Sequence, residues 1–154
     1  MTRGYLFDTS VVSALAPGRP TIPEQQDIWL REQADHLFIP TIAIAEIEAG
    51  IRKLRRSGGT ARAEHLGIWL DGLIAGYGDR ILPFDTTAAR MAGSLADTAV
   101  AAGRHPGFPD IAIAAIALTR DLTLLTRNLR HFEPLGVPTM DPFGAPPAQE
   151  SERP

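Results

Sequence analysis

The sequence contains no cysteine, which removes disulfides, thiolate metal ligands and cysteine nucleophiles from consideration. Their absence also fits a reducing cytoplasm. There is no polycation either: the formal charge is −3 and the isoelectric point about 5.8. Contact with nucleic acid must therefore come from a local basic patch or from bound metal ions, not from overall charge. No apolar run is long enough to span a bilayer, the most apolar segment being "IAIAAIAL" at 111–118. The N-terminus lacks a basic leader followed by a long apolar stretch, so no signal peptide is expected. Neither G-x-G-x-x-G nor G-K-[ST] occurs, which leaves out the dinucleotide fingerprint and the P-loop. What remains is a soluble cytoplasmic domain with no membrane partner, and 154 residues at 44% hydrophobic are enough for one proper core.

The apolar pattern alternates short runs with helical stripes. A first strand is expected over about 4–7 and a short helix over 9–15. The Pro- and Gly-rich "APGRPTIP" forms a loop, and a helix covers 24–34. "HLFIP" reads as a second strand. Thr41 is placed to cap a long helix to Arg56, since Ile44, Ile47, Ile51 and Leu54 share a stripe. A further helix spans 60–76. "RILPF" gives a third strand, and Asp85 the N-cap of a helix over 86–102. "AGRHPGFP" is expected as a loop, Asp110 opens the most apolar helix, "LTLLT" is a fourth strand, "RNLRHFEPLG" a loop and "VPTM" a fifth strand. The polar, Pro-rich tail at 143–154 is expected to be disordered, leaving a domain over 1–142. Strands alternating with helices predict an α/β/α sandwich around a mostly parallel sheet of four to five strands.

Three acids stand in unusual places. Asp8 ends the first apolar run, where it either caps the next helix or lies at the carboxyl end of a central strand, the region in which open α/β sheets carry their sites. Glu46 sits in the isoleucine-striped helix, but Glu48 competes with it. The two lie about 200° apart around the axis and cannot both face one site. Asp110 is an N-cap or a first-turn acid favoured by the helix dipole. Topology allows the three to converge at the sheet's carboxyl edge. Carboxylates held together there repel one another unless a hard divalent cation such as Mg²⁺ or Mn²⁺ neutralises them, and such sites mostly handle phosphate groups. An aspartyl-phosphatase pattern fails because Ser10 stands where the second aspartate belongs. His36, His65, His105 and His131 are scattered without metal-ligand spacing.

Together, "LFDTSVVSAL", "IPTIAIAEIEAGI", "RILPFD", "PDIAIAAIAL" and "LLTRNLRHFEPLGV" resemble the PIN-domain ribonucleases, specifically the VapC and FitB-like toxins of type II toxin–antitoxin pairs. The resemblance runs from about Tyr5 to Pro142 with the pieces in order. It implies a PIN-like fold and an endoribonuclease dependent on Mg²⁺ or Mn²⁺. Asp8 matches the first acid, Glu46 rather than Glu48 the glutamate of the "A-E-x-x-x-G" helix, and Asp110 the acid that opens the apolar helix. Asp8 is then expected to do both jobs, satisfying backbone donors at the helix start with one oxygen and offering another to a metal. The family's fourth acid is missing, since Asn128 and His131 occupy the matching places. That departure bears on a second metal position more than on the first. Ser10, Thr126, Asn128 and His131 are accessory candidates. Arg127 and Arg130 are the foremost candidates for RNA phosphates, with Arg52 and Arg56 of the "RKLRR" run as further ones, a solvated helix face being the alternative. The resemblance further implies a homodimer and a cognate antitoxin of the VapB or FitA type that blocks the acidic pocket. Two rivals stand beside it: a PIN-like binding module without activity, and a metal-independent ribonuclease driven by His131.

Overall fold

The computed structural model describes residues 4–144. Five short strands, β1 (Tyr5–Phe7), β2 (Leu37–Pro40), β3 (Ile81–Leu82), β4 (Thr123–Leu125) and β5 (Thr139–Met140), form one sheet in the order β3-β2-β1-β4-β5, with every pairing parallel. The chain leaves β1 towards β2 and β3, then returns to the other side of β1 for β4 and β5. The carboxyl ends of β1 and β4 therefore flank the point where strand order reverses, and a crevice opens there in sheets of this kind.

Helices α1 (Thr9–Ala14), α2 (Glu24–Glu32), α3 (Thr41–Arg56) and α4 (Thr60–Tyr77) cover one face, around a core that includes Phe7, Val11, Val12, Leu30, Ile39 and Leu125. Helices α5 (Thr86–Ala101), α6 (Phe108–Thr119) and α7 (Leu129–Phe132) cover the other, with Leu6, Ile113, Ile116, Leu124 and Phe132 at its centre. Period-two alternation explains how β1 serves both cores: Leu6 points to one layer and Phe7 to the other. The strongly apolar α6 is buried throughout 111–117, as expected for a helix wedged between the sheet and a neighbour, here α5. The expected sandwich is thus present, with all five strands parallel. Among the described residues no helix is long and apolar enough to cross a membrane.

Several local expectations yield to tertiary contacts. Thr41 is the first residue of α3 and not its cap, which is Pro40; its hydroxyl instead accepts the Phe84 N–H at 3.2 Å, tying α3 to the segment after β3. Asp85 does cap α5, accepting the Ala88 N–H at 2.9 Å. Helix α6 begins at Phe108, inside the expected loop, because Pro109 suits the first turn. The expected loop at 127–136 contains α7 and a tight helical turn at Glu133–Leu135. Of the tail, all but Phe143 and Gly144 lie outside the described residues. Those two sit against the body: Phe143 packs beside the α1–α4 core and the Gly144 carbonyl accepts from Gln26 Nε2 at 2.7 Å.

Candidate active site

Asp8 directly follows β1 and Thr126 directly follows β4, so the parallel pairing of these strands brings the two together at the strand-order reversal. Asp8 is only 4% exposed and Thr126 fully buried. Thr126 Oγ1 donates to Asp8 Oδ2 at 2.8 Å, and Ser10 Oγ donates to the same oxygen at 2.8 Å. The Thr126 hydroxyl in turn accepts the Asn128 N–H at 3.0 Å, which fixes the direction of its own proton. Asp8 occupies the N-cap position of α1, yet its side chain bonds no backbone N–H there. The expected capping role is therefore not played: both hydroxyls hold the carboxylate towards β4 instead. Oδ1 has no hydrogen-bond donor, and no cation pairs with Asp8, among the described residues. A buried carboxylate satisfied by two neutral hydroxyls is an expensive arrangement for a purely structural residue.

Glu46 and Glu48 separate clearly. Glu46 Oε1 accepts from Thr9 Oγ1 at 2.7 Å, placing it beside α1 and the Asp8 turn, whereas Glu48 pairs with Arg52 at 2.9 Å along the exposed helix surface. Nothing in the helical spacing pointed to the Thr9 contact. Asp110 lies in the first turn of α6, with His131 Nδ1 3.5 Å from its Oδ2. Its pKa is raised, first by burial and then by the negative charge of Asp8, with Glu46 adding in the same sense and His131 opposing. Asp110 thus registers both other acids, and the three share one field at the carboxyl edge of the sheet. They are not drawn tight: among the described residues no three acidic or histidine side chains are gathered as a metal-binding group.

The raised Asp110 pKa carries a stability consequence with a definite sign. The folded chain holds this proton more tightly than the unfolded chain. The associated stability is fully present below the ordinary value of 3.8 and is lost as pH rises through the raised value. In metal-free buffer, subtracting the unfolding free energy of Asp110→Asn from that of the natural protein should give a difference that declines across this window. Urea titrations at stepped pH measure it, and a flat or rising difference would remove the burial and charge crowding that together raise this carboxyl.

The remaining candidates divide. Ser10, Thr126 and the Asn128 backbone build the Asp8 turn, and His131 faces Asp110. Arg127 lies over the Phe143 ring at 5.5 Å and lines a cavity of about 430 Å³ with Ser10 and Ser13. Arg130 lines a second cavity, of about 310 Å³, with Asp110 and His131. Arg52 is turned to Glu48, and Arg56 is exposed at the far end of α3, so the structure does not bring that basic run to the acids. Arg62 is spent on the Pro17 carbonyl at 3.2 Å. Sequence reasoning missed Arg19, Arg104 and Phe143, which line the two cavities.

The chain is similar to proteins of known name. It is 32% identical to the plasmid stability protein StbB of Pseudomonas syringae pv. tomato over 142 residues, covering 91% of this chain and 99% of that protein. It is 27% identical to the VapC ribonuclease Y4jK of Sinorhizobium fredii, over 90% of this chain and 96% of the relative. The crystal structure of FitAcB from Neisseria gonorrhoeae contains a chain that matches with a TM-score of 0.71 at 29% identity, covering 91% of this chain and 99% of that one. The PIN domain profile matches residues 5–135, nearly the whole of the described fold. With that match spanning the strand-order reversal and the positions of Asp8, Glu46 and Asp110, the chain belongs to the PIN domain family.

Proposed function

We propose that this chain is the toxin of a type II toxin–antitoxin pair, a cytoplasmic endoribonuclease dependent on Mg²⁺ or Mn²⁺ and restrained by a cognate antitoxin. The observation that carries the reading is Asp8: a buried carboxylate held by two hydroxyls, with one oxygen left open, no countercharge, and two further acids in its field. Support comes from relatives named as a VapC ribonuclease and as the toxin FitB, and from the matching solved structures of FitAcB and of FitAB bound to a DNA fragment.

The donor set fits a hard divalent cation, since all three acids offer oxygen and their mutual repulsion favours one. Asp8 and Asp110 would hold it, with Glu46 as the third contributor. When bound, such an ion supplies positive charge against the charge that develops on a phosphodiester under attack by water. The chain's own residues do the positioning. Ser10 and Thr126 fix Asp8, Thr9 fixes Glu46, and His131 orients Asp110. Attack by water forms one P–O bond and breaks the bond to the 3′ oxygen, leaving a 5′-phosphate and a 3′-hydroxyl. The assembly is a homodimer, and exposed Val100 and Phe108 at the two sides of the α5–α6 connection are apolar surface available to a partner.

The test is cleavage of RNA by purified protein with Mg²⁺ or Mn²⁺, then with chelator. Metal-stimulated cleavage is expected. Glu46→Gln should lower it at least tenfold and Glu48→Gln less than twofold, since only the former touches the Asp8 turn. The reverse order would exchange the two glutamates. A second reading, a binding module without activity, is favoured by Asn128 and His131 in place of a fourth acid and by the loose spacing of the trio. Failure of metal to stimulate cleavage selects it. Activity that survives chelation and is lost in His131→Ala selects the histidine-driven ribonuclease.

A further inference from the structure

The acidic site is flanked by a cationic cavity on each face of the sheet. On the α1–α4 face, the cavity of about 430 Å³ is lined by Ser10, Ser13, Arg19, Arg127 and Phe143, and Ser10 is itself a donor to Asp8. On the α5–α7 face, the cavity of about 310 Å³ is lined by Arg104, His105, Arg130 and His131, and Asp110 forms part of its wall. The second cavity thus has Asp110 in its wall, and the first reaches Asp8 through Ser10.

Four arginines combine an open guanidinium with a place in a cavity wall beside the acids, whereas Arg55, Arg56 and Arg90, also without an ion pair among the described residues, line neither cavity. Elsewhere on the surface Arg31, Arg52 and Arg120 pair with Asp27, Glu48 and Asp85, while Arg62 and Arg80 donate to backbone carbonyls. Among the described residues Arg19, Arg104, Arg127 and Arg130 make no ion pair, and only Arg127 has another partner, the Phe143 ring. Glu46 shares a groove wall with Arg19, and Glu133 lines a cavity with Arg104 and Arg130, yet neither acid closes on them. Guanidinium groups left open in concave sites suit phosphate oxygens, which they bind bidentately. Phe143, anchored at the rim by the Gln26–Gly144 hydrogen bond, adds an aromatic wall of the type on which single-stranded bases stack.

We infer that a single RNA strand crosses the carboxyl edge of the sheet from the Arg19–Arg127–Phe143 cavity to the Arg104–Arg130 cavity, with the scissile phosphate between them at the three acids. This rests on the nuclease reading and adds to it the direction of the substrate and two residues, Arg19 and Arg104, that grip phosphates on either side. The strand's negative charge is met by the flanks, so the acids at the centre face one phosphodiester only. The basic run at the end of α3 lies off this path.

The experiment measures binding of a mixed-sequence single-stranded RNA oligonucleotide against salt. The parent is Glu46→Gln, which keeps an oxygen for Thr9 and slows cleavage. Into it are placed Arg19→Gln, Arg104→Gln, both together, and Arg55→Gln as the off-path comparison. Each flank substitution should weaken binding about fivefold at 0.1 M salt and reduce the slope of log K against log salt by about 0.7, the value for one phosphate contact to a single strand. The double substitution should multiply the two losses, and Arg55→Gln should change neither quantity. If RNA binds the parent but Arg19→Gln or Arg104→Gln leaves the slope unchanged, the path is wrong while the nuclease reading stands. An equal loss in Arg55→Gln also overturns the path, because binding would then be diffuse. A parent that does not bind RNA, together with natural protein that does not cleave it, overturns both.

Discussion

Phe132→Ala is expected to cost about 3–5 kcal/mol, the usual range for deleting a fully buried aromatic ring, against a total stability of about 5–15 kcal/mol for a domain of this kind. Phe132 has no exposed surface and lies in the core beneath α6, with Leu135, three residues further along, buried in the same core. Its helix, α7, is four residues long and cannot persist by its own hydrogen bonds. Burial of this ring is what holds the turn in place. The same turn carries Arg130 and His131 and starts from Asn128, so Phe132 fixes everything that faces Asp110 from this side. Urea unfolding of Phe132→Ala and Phe132→Leu is the direct measurement. Leucine, which refills most of the volume, should recover more than half of the loss. A cost below about 1 kcal/mol for alanine would mean that α7 is held by something other than its aromatic anchor.

That turn is also where sequence reasoning was weakest, for a physical reason. Four residues are too few to show a period, and "RNLRHFEPLG" has the polarity and proline of a loop, so nothing local betrays one buried ring. Thr41 failed differently: its residue type suits a cap, but the Phe84 N–H, brought near by strand pairing, claims the hydroxyl. Asp8 was legible because an acid abruptly ending an apolar run at the first strand of an alternating pattern has few possible surroundings. Both of its partners were named as accessory candidates, but only one of them is near it in the chain. Ser10 is two residues away, whereas Thr126 reaches it only through the β1–β4 pairing. Glu46 and Glu48 could not be separated by helical spacing, because what separates them is Thr9 on another helix and Arg52 one turn further along. Arg19 and Phe143 line one cavity with Arg127 although they come from the α1–α2 loop, the segment after β5 and the β4–α7 loop. No pattern within any one of them announces the meeting.

Asp8→Asn should reduce RNA cleavage on the order of a hundredfold or more while leaving the fold as stable as before, or more so. The combination is what gives the prediction its force. Both hydroxyls donate to Oδ2, and Thr126 must donate because its own oxygen already accepts from the Asn128 N–H. An asparagine can set its carbonyl oxygen in the place of Oδ2 and keep both bonds. Its amide nitrogen then replaces Oδ1, which has no donor to lose. The hydrogen bonding survives, and a buried charge without a countercharge is removed, so the change in unfolding free energy should be within about 0.5 kcal/mol or favourable. The charge itself is gone, however, and with it the anionic oxygen offered to a divalent cation; a hundredfold loss of rate corresponds to about 2.7 kcal/mol of transition-state stabilisation. Thermal unfolding with and without Mg²⁺ sharpens the contrast. At an ion concentration ten times the dissociation constant the natural protein should gain about 1.4 kcal/mol, and the variant clearly less. A variant that keeps its activity but loses more than about 2 kcal/mol of stability would reverse the conclusion. The carboxylate would then serve the fold, since only a group needed for structure makes its isostere unstable, and only a group needed for chemistry makes a stable isostere inactive.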